Sequence, residues 1–164
     1  MKKIIITLLL TVSPLSFAAD KAFVSSRTMS HTTANTLALA AMDACKKQGY
    51  QVAAAVVDRH GNLLSFIRDP LSGNHTIDVA IRKAYTSATF QSSTMTLQQG
   101  DFAGLRFADK VLIIGGGRPV NIGGHFYGAI GISGAPAKKV TGDIDDACAQ
   151  AGIESVQELL EFAE

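Results

Sequence analysis

Residues 51–57, Gln-Val-Ala-Ala-Ala-Val-Val, are after the leading Gln51 an unbroken run of small and β-branched side chains. A strand with this pattern has no polar face to offer water, so it must lie between two layers or beneath a helix. Asp58-Arg59-His60-Gly61-Asn62 then reads as a turn, and 63–68 as the returning strand of a hairpin. Helical periodicity precedes it. Leu37, Ala40, Ala41, Ala44 and Cys45 share one face of a segment that Ser30 or Thr32 can cap and that Gly49 ends. A second amphipathic stripe, Ile77, Ala80, Ile81, Ala84 and Ala88, predicts a helix over 76–90 whose small residues allow close packing on a sheet.

The second half is read as a short helical piece over 92–100, a loop over 104–109, and strands over 111–114, 119–122 and 126–132. Helices over 143–151 and from 155 onward close the chain. There are no internal repeats and no linker. Two hairpins around a central helix, with helices at both ends, predict a single α+β domain with a mainly antiparallel sheet.

The N-terminus adds an address. Lys2 and Lys3 precede an apolar run of about nine residues, followed by Pro14 and the small residues of Ser16-Phe17-Ala18. This is the pattern of a cleavable signal peptide over 1–18. The run is well short of the roughly 20 residues that span a bilayer. Residues 19–30 read as a flexible lead-in to a domain over 31–164, and a periplasmic location is expected. Loss of Lys2 and Lys3 leaves 13 basic and 14 acidic residues, a formal charge of −1. Such a chain has no basic excess to hold a nucleic-acid backbone. Cys45 and Cys148 would both enter an oxidising space, where they either pair or remain buried thiols. Neither has the neighbours of a zinc site.

Gly115-Gly116-Gly117-Arg118-Pro119 follows a strand but leads into another strand, without Gly-Lys-Ser/Thr. It therefore lacks the helix N-terminus of a phosphate loop. No nucleophile elbow or metal-hydrolase motif is present, and whether the chain is an enzyme stays open.

Several of these segments together resemble the GlcG/HbpS haem-binding family, which includes the PduO C-terminal domain. They are Val56-Val57-Asp58 with Gly61, Gly73-Asn74-His75-Thr76 with Ala80, Arg82-Lys83-Ala84-Tyr85-Thr86, and Gln91-Ser92-Ser93-Thr94. To these are added 114–120, 128–136 and the Asp-x-x-x-Cys-x-x-Ala-Gly pattern within 143–152. Ser93 stands where many members carry proline. The resemblance implies a five-stranded antiparallel sheet flanked by helices, a homo-oligomer that is often an octamer, and haem as ligand. Haem-dependent redox or haem-degrading activity would follow from that ligand. The alternative is an oligomeric sensor or interaction module without physiological haem.

Haem needs an axial donor for its iron and cationic or polar partners for its propionates. His75, at the start of the central helix, is a candidate iron ligand, since a helix N-terminus keeps imidazole neutral. Thr94 is a second candidate iron ligand, through the resemblance, and otherwise a helix cap. His31 matches the position of a histidine used by a relative. Arg82 and Lys83 are candidates for the propionates, or else a solvated helix face. Tyr85 and Phe90 are candidates to stack on the ring, or else core residues; His60 and His125 are expected to be exposed. The Cys-x-x-Cys-His pattern of covalent haem is absent, so any haem would be held non-covalently.

Overall fold

The structure is a computed structural model that describes residues 22–163. The expected signal peptide therefore lies outside the described residues. Helix α1 (His31–Lys47) is capped by Ser30, whose hydroxyl accepts the Thr33 N–H at 3.1 Å. A hairpin follows, β1 (Ala53–Asp58) and β2 (Leu63–Arg68), and then α2 (Thr76–Phe90) and the short α3 (Thr94–Gln99). After a 3-10 turn, Ala103–Phe107, come β3 (Gly117–Ile122) and β4 (His125–Ser133), and finally α4 (Asp143–Ser155) and α5 (Gln157–Glu161). No helix among the described residues is long and apolar enough to cross a membrane.

The sheet is fully antiparallel in the order β2-β1-β4-β3. β1 is central, and its alanines and valines alternate between the two faces as the Val/Ala run requires. Ala54 and Val56 pack with Ile130, Ile132 and Val120 against α1 and α4. Ala53, Ala55 and Val57 pack with Ala129 against Ala80, Ala84 and Ala88 of α2. The sheet is thus sandwiched between α1 and α4 on one side and α2 on the other. Met29 belongs to the α1/α4 core, which anchors the end of the lead-in segment.

Helix α2 lies close enough to touch the sheet's backbone. A Cβ at Gly131 would collide with the Ala80 carbonyl and approach the Ala84 nitrogen to 2.5 Å. A Cβ at Gly117 would collide with the Lys83 carbonyl. Glycine at both positions is what allows helix and strands to touch.

The sheet has four strands, not the expected five. Residues 111–114 do not join it, because their backbone groups are taken by side chains. Arg82 Nη2 donates to the Val111 carbonyl at 3.0 Å, and the Leu112 N–H donates to Thr86 Oγ1 at 2.8 Å. Val111 and Ile113 are buried with Leu97 in a small separate cluster that Phe90 also contacts. The apolar residues are inside as the pattern suggested, but they are docked on α2 and α3 instead of paired in a ladder.

Cys45 of α1 and Cys148 of α4 form a disulfide with Cα atoms 5.5 Å apart, so the pairing left open by the sequence is made. It ties together the two helices of one layer across 103 residues of sequence. Replacing both cysteines with alanine should lower unfolding stability by about 2–4 kcal/mol in a urea titration, with native circular dichroism retained. An unchanged midpoint would mean the bond constrains nothing that packing does not already hold.

Candidate functional site

The inner face of α2 follows one row, Thr76, Ala80, Lys83 and Ser87, all buried. Lys83 is therefore not part of a solvated face. Its Nζ donates to Asp145 Oδ2 and to the Ile132 carbonyl, both at 2.9 Å, with the two side chains only 2% and 4% exposed. Asp145 Oδ1 accepts the Ala135 N–H at 3.0 Å. Burial pushes the Asp145 carboxyl above its ordinary value, while the Lys83 ammonium and the Ala135 and Gly134 N–H groups pull it back. This pair joins α2 to α4 past the end of the sheet. Lys83 is consequently not available to a propionate on the outer face, which corrects that expectation.

Thr94, the first residue of α3, is also sealed. Its Oγ1 accepts the Gly117 N–H at 2.8 Å and lies 3.4 Å from the Gly117 carbonyl, with no side-chain exposure. The hydroxyl fastens α3 to β3 and has no face left for iron. The capping role belongs to Ser93, which accepts the Thr96 N–H at 3.0 Å.

The outer face of α2 is different. Asp78, Ile81, Arg82 and Tyr85 form one wall of a cavity of about 750 Å³. The hairpin turn supplies His60, Gly61, Asn62 and Leu63, and residues 107–110 supply Phe107, Ala108, Asp109 and Lys110. Gly61, at φ +84°, lets the turn lie against the Tyr85 ring, where a Cβ would come within 2.7 Å. Lys110 Nζ is 5.8 Å from the centre of that ring. Arg82 lies 3.5 Å from Asp78 through Nη1, and its buried Nε has no hydrogen-bond partner among the described residues.

Asp58 positions His60. Its Oδ1 accepts the His60 and Asn62 N–H groups at 2.8 and 2.9 Å, and its Oδ2 accepts Asn62 Nδ2 at 3.0 Å. Partial burial raises the Asp58 pKa, but these hydrogen bonds and the nearby His60 outweigh it and hold the carboxyl below its ordinary value.

The remaining histidines are dispersed. His75 is the exposed first-turn neighbour of α2, makes no capping bond, and lines a separate cleft of about 220 Å³. His31 opens α1 in the layer across the sheet from α2, exposed, with Nε2 3.4 Å from Thr32 Oγ1. His125 is exposed at the start of β4. One chain therefore does not bring His31, His75 and Thr94 together, and only Arg82 of the five expected ligand-binding residues reaches the large cavity. Among the described residues no group of three or more His, Cys, Asp or Glu is placed to hold a metal ion. His60 is exposed, as expected, and lies on the wall of the large cavity, while Lys110 was not singled out because a loop carries no periodicity to show where it faces.

Residues 29–154 match the family model described as "Haem degrading protein HbpS-like". The chain belongs to the HbpS-like family. The crystal structure of HbpS is 33% identical, with a TM-score of 0.75 over 84% of this chain and 97% of that one. A double mutant of HbpS from Streptomyces reticuli is 32% identical, with a TM-score of 0.75 over 87% and 97% of the two chains. The PduOC:Heme complex shares the fold at 23% identity and a TM-score of 0.67, over 79% of this chain and 95% of that one. An uncharacterised 15.0 kDa protein of Citrobacter freundii is 32% identical over 95 residues, 54% of this chain and 67% of its own length.

Two consequences follow for this HbpS-like domain. Lys83→Met alone should cost about 3–5 kcal/mol in urea unfolding, because it strands a buried carboxylate. Combining it with Asp145→Leu should recover most of that loss, and a double variant no better than the single one would contradict the assignment. The second concerns acid. A carboxyl whose folded pKa lies below its unfolded value near 3.8 stabilises at higher pH and loses that contribution as pH falls through the folded pKa. Asp58→Ala should therefore flatten the acid limb of a stability profile below about pH 5, by a modest amount since the turn is exposed.

Proposed function

We propose that this HbpS-like protein is exported and binds haem non-covalently in the cavity between the His60 turn, the outer face of α2 and residues 107–110. The observation that carries the reading is the make-up of that cavity. At about 750 Å³ it falls within the usual range for small-molecule and cofactor sites. Leu63, Ile81, Tyr85 and Phe107 offer apolar and aromatic surface for a porphyrin. Arg82, whose side chain is 35% exposed, and Lys110 offer cations for the two propionates. His60 offers the only imidazole on the cavity wall, and Asp58 orders the backbone that carries it. These residues fit the group. Bound haem would supply iron-centred redox chemistry, and the family's description as haem-degrading makes breakdown of the porphyrin the reaction to assay.

Other features support the same setting. The disulfide suits an oxidising compartment and agrees with the signal-peptide pattern over 1–18. Phe23, Val24, Leu71 and Phe162 are each more than three-quarters exposed, apolar side chains of the kind a homo-oligomer interface covers.

Hemin titration of the mature protein should give a saturable Soret shift at one equivalent per chain. Arg82→Ala and His60→Ala should each weaken it by about ten-fold, the loss of one good polar contact. His75→Ala and His31→Ala should titrate like the wild type. Absence of a stoichiometric shift would overturn the reading and leave an oligomeric module without haem. Loss of binding in His75→Ala alone would overturn the location.

A further inference from the structure

The cleft beside His75 is separate from the proposed haem cavity. It holds about 220 Å³, too little for a porphyrin and enough for a small molecule. Its walls mix apolar side chains, Val79, Ile114, Ala135 and Ala137, with polar ones in about equal measure. Its lining also carries three polar side chains that are almost wholly buried: Lys83 at 2%, Asp145 at 3% and Ser133 at 5% exposure. A few convergent polar groups among apolar side chains are the ordinary form of a ligand site.

The lining holds donor capacity that the protein does not use. Both Asp145 oxygens are committed, Oδ2 to Lys83 and Oδ1 to the Ala135 N–H. Lys83 uses two of its three N–H donors, on Asp145 and on the Ile132 carbonyl. The Ser133 hydroxyl makes no hydrogen bond among the described residues, yet it is not sealed from the cleft. His75 stands exposed among the lining residues with no capping bond to make. Lys83 keeps one N–H donor uncommitted and the Ser133 hydroxyl is unpartnered, so a ligand that brings acceptor oxygens finds donors to meet it. A purely structural ion pair between α2 and α4 would need neither the open cleft nor the unpartnered serine beside it.

The geometry points to a second binding site, in which Lys83, Ser133 and His75 receive the carboxylate of a small organic acid, with Val79 and Ile114 against its carbon chain. This site does not depend on the haem reading, since it shares no residue with the larger cavity.

Calorimetric titration of the full mature protein with acetate, pyruvate and succinate tests it, with acetamide as the uncharged control. At least one carboxylate should bind saturably, and acetamide should not. Ser133→Ala should weaken that binding about ten-fold while leaving the hemin titration unchanged, as expected for the loss of one hydrogen bond to a charged group. Ser133 pairs across the sheet with Ala53, so alanine fits its strand position. His75→Ala, an exposed substitution that leaves the fold intact, should also weaken the acid and not the hemin. Failure of all three acids to bind, or wild-type affinity in both variants, would overturn the proposal.

Discussion

The contact between α2 and the backbone of β3 and β4 decides where everything else goes. Gly131 and Gly117 let Ala80, Ala84 and the Lys83 carbonyl rest directly on the strands. At that separation only small side chains fit the interface, which is why alanines occupy it. A long side chain on this face has to leave at the sheet's end, and Lys83 does so to reach Asp145. The rest of the helix then has a fixed rotation. Arg82, Tyr85, Ile81 and Asp78 are turned outward onto the large cavity, and His75 is left beside the smaller cleft.

Much of the fold is legible in the sequence, because its main elements follow from periodicity. The Val/Ala run is a strand buried on both faces, and the stripe from Ile77 to Ala88 marks the helix that covers it. Residues 111–114 are the instructive exception. Their apolar side chains are buried as a strand's would be, but hydrogen-bond partners decide strand identity, and here those partners are Arg82 and Thr86 from another element. Pattern reports burial and is silent about which groups complete the backbone.

The site was less legible, for a related reason. Arg82 and Lys83 are adjacent in sequence but point about 100° apart around the helix axis, one outward and one inward. The signal for Lys83 was present, since it falls three residues after Ala80 and four before Ser87, on the buried row. Asp145 likewise precedes Cys148 by three on the inner face of α4. Two opposite charges on apolar faces of different helices are a recognisable hint of a buried pair. Thr94 carried no such hint, because its partner is the backbone of Gly117, which no side-chain pattern reveals.

The two cavities then divide the chemistry of the domain. One is large, open and lined by aromatic rings with exposed cations, the other small and floored by buried donors. Family membership fixes the scaffold, whereas the residues on the two walls carry the proposals about ligands. The most direct test of the central claim is a crystal structure of the mature protein grown with hemin. The account predicts porphyrin density against Tyr85, with its propionates toward Arg82 and Lys110. Porphyrin bound beside His75 or His31, with the large cavity empty, would contradict it.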